Sequence, residues 1–133
     1  FASIKKRNTM EKIMIEGASD TPTVLMSKED NKFELSGKSM PEDVAQFYGP
    51  IIEWIEEYAQ SPNAKTVVDF KMIYFNTASS KMILDIMMKF EEMYSDGKDI
   101  LIRWYYPEDD EDMQEAGEEY ADMIDAPFEQ LAY

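Results

Sequence analysis

Two apolar runs, Thr66–Phe75 (TVVDFKMIYF) and Asp99–Tyr106 (DILIRWYY), constrain this chain more than any other feature. β-branched and aromatic residues crowd both, as a pleated, buried surface requires. Between them Ile83, Ile86, Met87, Phe90 and Met93 recur at the three- and four-residue steps of one helix face. The spacing predicts a helix over Lys81–Tyr94, stopped by Asp96-Gly97. Strand, helix and strand in that order imply parallel pairing through right-handed crossovers, hence an α/β fold.

The flanks extend the same scheme. Ile13-Met14-Ile15 reads as a short first strand. Thr21–Met26 and Lys32–Gly37 read as a hairpin around the polar turn Lys28-Glu29-Asp30-Asn31. Ser39-Met40-Pro41-Glu42-Asp43 opens a helix, with Ser39 or Met40 leading in, Pro41 in the first turn and two acids at the positive dipole end. Val44, Phe47, Tyr48, Ile51, Ile52, Ile55 and Tyr58 follow at helical spacing, and Pro50 predicts a kink or break. Glu108–Asp125 forms a last, acidic helix with Met113, Ala116, Tyr120, Met123 and Ile124 in phase, and Phe128–Tyr133 a short final strand. The expectation is a mixed sheet of about four to five strands, an N-terminal hairpin followed by αβαβα, packed against helices. Residues 10–133 make one domain; residues 1–9 (FASIKKRNT) are expected to be an upstream extension or a remnant foreign to the natural chain, with Met10 as its start.

Composition narrows the chemistry. The 133 residues hold no cysteine and no histidine. A thiol nucleophile, a thiolate metal site and the usual base for a Ser or Thr nucleophile are therefore missing. With 13 basic against 28 acidic residues, net −15, the chain repels nucleic-acid backbones and anionic membranes. No apolar run is long enough to insert in a membrane, and a cytoplasmic protein is expected. The acids Glu108–Asp112 lack the spacing of a calcium loop and suit a helix N-terminus instead. The methionines and the pair Trp54 and Trp104 read as core or rim, so no cofactor and no metal is expected.

Between the first apolar run and the helix lies Tyr74–Lys81 (YFNTASSK). Asn76-Thr77 is a helix cap on its own chemistry, with Ser80 able to join it. The strand Val67-Val68-Asp69-Phe70, continuing to Tyr74-Phe75, with a polar residue, a hydroxyl residue and a helix after it, resembles the phosphorylation corner of STAS domains. In those anti-sigma-factor antagonists a Ser or Thr at this corner is switched by a partner kinase and phosphatase. Thr21-Pro22, Ser39–Asp43, Phe75–Lys81, Arg103-Trp104-Tyr105-Tyr106 and the acidic last helix together resemble the SiaC-like family of small STAS-like bacterial phosphoproteins. The likeness runs from about Thr21 to Phe128. It departs at Met40, where Tyr is usual, at Asp43, where Asn is usual, and at Ala78, where Ser is frequent.

The resemblance implies a regulator that is no enzyme. Thr77 would be phosphorylated by a cognate histidine-kinase-like Ser/Thr kinase and freed by a PP2C-type phosphatase. The unphosphorylated form would bind and stimulate a diguanylate cyclase, tying it to cyclic di-GMP and biofilm regulation. Asn76, Ser79, Ser80, Lys81 and Tyr74 are the expected partner-binding residues around it. The alternatives are an anti-sigma-factor antagonist in a partner-switching pathway, a passive acidic scaffold, and a small enzyme using clustered carboxylates and tyrosine.

Overall fold

The structure, a computed structural model, describes residues 10–133; the expectation for residues 1–9 lies outside them. Six strands form one sheet in sequence order: β1 (Ile13–Ile15), β2 (Thr23–Ser27), β3 (Lys32–Ser39), β4 (Lys65–Phe75), β5 (Asp99–Tyr106) and β6 (Phe128–Ala132). β1, β2 and β3 pair antiparallel, whereas β3–β4, β4–β5 and β5–β6 pair parallel. The strand count exceeds the expected four to five because both short edge segments pair in full register. Three helices make the crossovers: α1 (Val44–Tyr58), α2 (Thr77–Ser95) and α3 (Glu111–Met123).

Burial alternates along every inner strand. Val24, Met26, Phe33, Leu35, Val68, Phe70, Met72, Ile100, Ile102 and Trp104 are sealed beneath the helices. The helices answer with Tyr48, Ile51, Ile55 and Tyr58 from α1 and with the five residues of α2 that the spacing picks out. Among the described residues no helix lies over the other sheet face. There Asp69 on β4 takes a two-pronged hydrogen bond from Arg103 on β5, at 2.6 and 2.9 Å, and Lys71 lies 4.7 Å above the Tyr105 ring. Polar pairs of this kind let a parallel sheet keep one face open to water.

The expected start of α1 needs correction. Its cap is Asp43, which accepts from the Gln46 amide at 3.1 Å, so Pro41 and Glu42 precede the helix. Ser39 is held in β3 by pairing with Phe75, and Pro41 keeps Met40 out of helical space. Of the kink or break expected at Pro50, the break does not occur: one helix runs from Val44 to Tyr58, although the lost amide costs about 3 kcal/mol. Tyr48 and Ile51, on either side of it, are wholly buried, and burial of each large side chain returns about 1.5–3 kcal/mol. In α3 the buried line is Met113, Gly117 and Tyr120, while Met123 is 54% exposed and Ile124 lies just past the helix.

Candidate functional site

β4 delivers the corner through an irregularity. Register with β3 runs Gly37↔Met72 and then Lys38↔Tyr74, so Ile73 is an extra residue on the β4 side. Strict alternation after Met72 would turn Tyr74 inward; the bulge leaves Ile73 and Tyr74 exposed and turns Phe75 to the core. Phe75 meets Trp104 edge-on at 6.0 Å between centroids and lies 6.3 Å from Tyr120. The next amide, of Asn76, donates to the Ser39 carbonyl oxygen at 3.0 Å, fixing the corner to the end of β3.

Asn76 caps α2. Its Oδ1 accepts from the Ser79 amide at 2.9 Å, and its carbonyl accepts from the Ser80 amide at 2.9 Å. Thr77 is the first residue of the helix and is exposed. Its carbonyl accepts the Ser80 hydroxyl at 2.7 Å. α1 and α3 are capped by aspartates, but α2 has a neutral cap and no acid in its first turn. In a chain of net −15, the positive end of this helix dipole beside Thr77 meets no acid of its own cap or first turn.

Behind the exposed corner lies a closed set of hydroxyls. Ser39 donates to Ser79 Oγ at 2.8 Å and is hydrogen-bonded to the Tyr48 hydroxyl, and all three residues are 0% exposed. They join the end of β3, α1 and the first turn of α2. Burial pushes the Tyr48 phenol above its ordinary pKa, against the opposing pull of its serine neighbours. On the far side, Tyr120 of α3 donates to the Ser80 carbonyl oxygen at 2.9 Å. Its phenol is also held high, first by burial and then by Tyr48 and Glu119.

The residues singled out in the sequence thus divide. Thr77, Lys81 and Tyr74 are exposed, and Asn76 and Ser80 are half-buried. Ser79 faces the core, where it supports the corner from within. Its position carried a signal: Ser79 is in phase with Ile83, Ile86, Met87 and Phe90. Ser39, Tyr48 and Tyr120 were missed as parts of the site, since three distant segments bring them to it. Met40, 37% exposed, follows Ser39 at the end of β3, and Ile73 and Tyr74 are exposed near the end of β4, so three large apolar side chains stand open at the strand ends that lead to Thr77. Among the described residues no group of three metal-ligating side chains is brought together.

Comparison with known proteins finds relatives over nearly the whole chain. Residues 15–133 match the family described as SiaC family regulatory phosphoprotein. An uncharacterized protein of Pseudomonas aeruginosa (strain UCBPP-PA14) is 28% identical over 119 residues, covering 90% of this chain and 94% of its own. The crystal structure of apo-SiaC from Pseudomonas aeruginosa superposes with a TM-score of 0.84 at 28% identity, over 92% of this chain and all (100%) of that one. SiaC solved in complex with the diguanylate cyclase SiaD, which it activates, gives a TM-score of 0.86 at 27% identity over 91% of this chain and 99% of that one. With the fold and nearly the whole length matched, this chain belongs to the SiaC family of regulatory phosphoproteins.

Proposed function

We propose that this chain is a non-catalytic, cytoplasmic switch whose state is set at Thr77. A histidine-kinase-like Ser/Thr kinase phosphorylates it, a PP2C-type phosphatase reverses the step, and the unphosphorylated form binds and stimulates a diguanylate cyclase. The observation that carries this reading is the placing of Thr77: exposed, first in α2, beside a neutral cap in a first turn that holds no acid. The likeness to a SiaC solved with the cyclase that it activates supports the choice of output partner.

The chemistry is consistent with a switch that spares the fold. Phosphorylation adds about −1.5 to −2 charges at neutral pH. The free amides and dipole of α2 offset part of that charge, so α2 need not melt. A partner resting on Met40, Ile73 and Tyr74 would have to strip water from the dianion, and binding is lost. The test is calorimetry against the cognate diguanylate cyclase. Thr77→Ala should bind like the parent chain and Thr77→Asp poorly; equal binding by both would sink the switch.

A further inference from the structure

The first turn of α2 offers few donors to a phosphoryl group on Thr77. Asn76 already takes two of the amides, that of Ser79 through Oδ1 and that of Ser80 through its carbonyl. The Ser80 hydroxyl is engaged by the Thr77 carbonyl, and the Ser79 hydroxyl is buried with Ser39. The amides of Thr77 and Ala78 are left. Two neutral amides do not balance a charge of about −2.

Lys81 supplies what they lack. It stands four residues after Thr77 in the same helix, where side chains share a face with Cβ atoms about 5–6 Å apart. Helical side chains lean toward the N-terminus, so the Lys81 stem runs back over the turn that carries Thr77. Ala78, three residues back, has nothing beyond Cβ to obstruct it. An acid placed before a lysine at this spacing is the favourable order, whereas Asp85 follows Lys81 in the weaker one. Lys81 is exposed and, among the described residues, makes no salt bridge, although Asp112, Glu115 and Glu119 line the cleft it borders. Lys38 is also near in the sheet, paired with Tyr74, but it precedes buried Ser39 and so alternates to the open face, away from α2.

We propose that Lys81 holds the phosphoryl group of phosphorylated Thr77, its ammonium closing an ion pair one turn along α2 while the Ala78 amide donates from the helix end. The inference rests on the switch reading above and deepens it: the phosphorylated state is stabilised within the chain, before any partner arrives. The pair keeps α2 wound beneath the dianion, so phosphorylation changes the surface and leaves the fold in place.

Phosphorus NMR of the full chain, phosphorylated by its cognate kinase and ATP, tests the pair. The second ionisation of a phosphate ester falls at about pH 6 and reads the charge beside it. Removing a neighbouring cation disfavours the dianion. Lys81→Gln should therefore titrate about 0.3 pH unit above the parent chain, with the gap narrowing in added salt. Lys81→Arg should restore the parent titration, and Lys38→Gln, the same charge change on the sheet, should leave it unmoved. A parent-like titration in Lys81→Gln, with phosphate on Thr77, would overturn the pair and leave the switch standing. An equal rise in Lys38→Gln would reduce the effect to net charge and also overturn it. Absence of phosphate from the parent chain would remove both. If the kinase does not accept Lys81→Gln, the Thr77→Glu chain decides without it. There Lys81→Gln should lower the melting temperature by more than it does in the parent, and equal losses would overturn the pair.

Discussion

Ser39, the last residue of β3, and Ser79, the third of α2, share a 2.8 Å hydrogen bond in a place no solvent reaches. With Tyr48 they form the only described set of buried hydroxyls that joins a strand and two helices at the corner. A buried hydroxyl left without its partner costs about 1–3 kcal/mol. Ser79→Ala should therefore lower unfolding free energy by that order in urea titration, with Thr77 still accepting phosphate. No measurable loss would mean that the triad contributes nothing to the corner.

Asn76→Ala removes a side-chain cap from α2 and should cost about 1 kcal/mol. Asn76→Asp keeps the acceptor and should retain stability. Thermal unfolding of the two variants separates capping from any direct role of Asn76 in partner contact.

At Gly117 two effects oppose. Alanine is a better helix former than glycine by about 1 kcal/mol. A Cβ there would collide with the Trp104 ring, lying 2.9 Å from its Nε1, and stand 3.0 Å from Gln130 Nε2. Trp104 is fully buried and donates to the Met113 carbonyl at 2.9 Å, so it has little freedom to yield. The collision wins: Gly117→Ala should be destabilised by about 1–3 kcal/mol, with a red shift of tryptophan emission. A more stable variant would contradict this packing.

Alkaline stability follows from three phenols. Burial raises Tyr48, Tyr58 and Tyr120 above the ordinary value of 10.0, so the folded chain holds these protons more tightly than the unfolded one. Their contribution is full below about pH 10 and is lost as pH climbs through the raised values. Tyrosinate absorbance from these three should appear together with loss of far-ultraviolet circular dichroism. Complete ionisation of all eight tyrosines in a still-folded chain would contradict their burial.

Much of the fold was legible because its signals are periodic and local. Ile83, Ile86, Met87, Phe90 and Met93 mark the buried face of α2, and the Asp99–Tyr106 run is β5 to the residue. What failed were points where distant pairing overrides local cues. Ser39 looks like a helix cap, yet its partner across the sheet, Phe75, keeps it in β3. The extra residue Ile73 reverses which of Tyr74 and Phe75 faces inward, and no local spacing announces a bulge. Thr77 could be singled out from its neighbours in sequence. The support beneath it could not, because Ser39, Tyr48 and Tyr120 come from three other elements.

The most direct test of the account is to map phosphate on the chain after incubation with its cognate kinase and ATP. Peptide-resolved mass spectrometry should find a single phosphoryl group, on Thr77, and none on the Thr77→Ala variant. Phosphate on another residue with Thr77 unmodified, or no phosphate at all, would contradict the assignment of this corner as the switch.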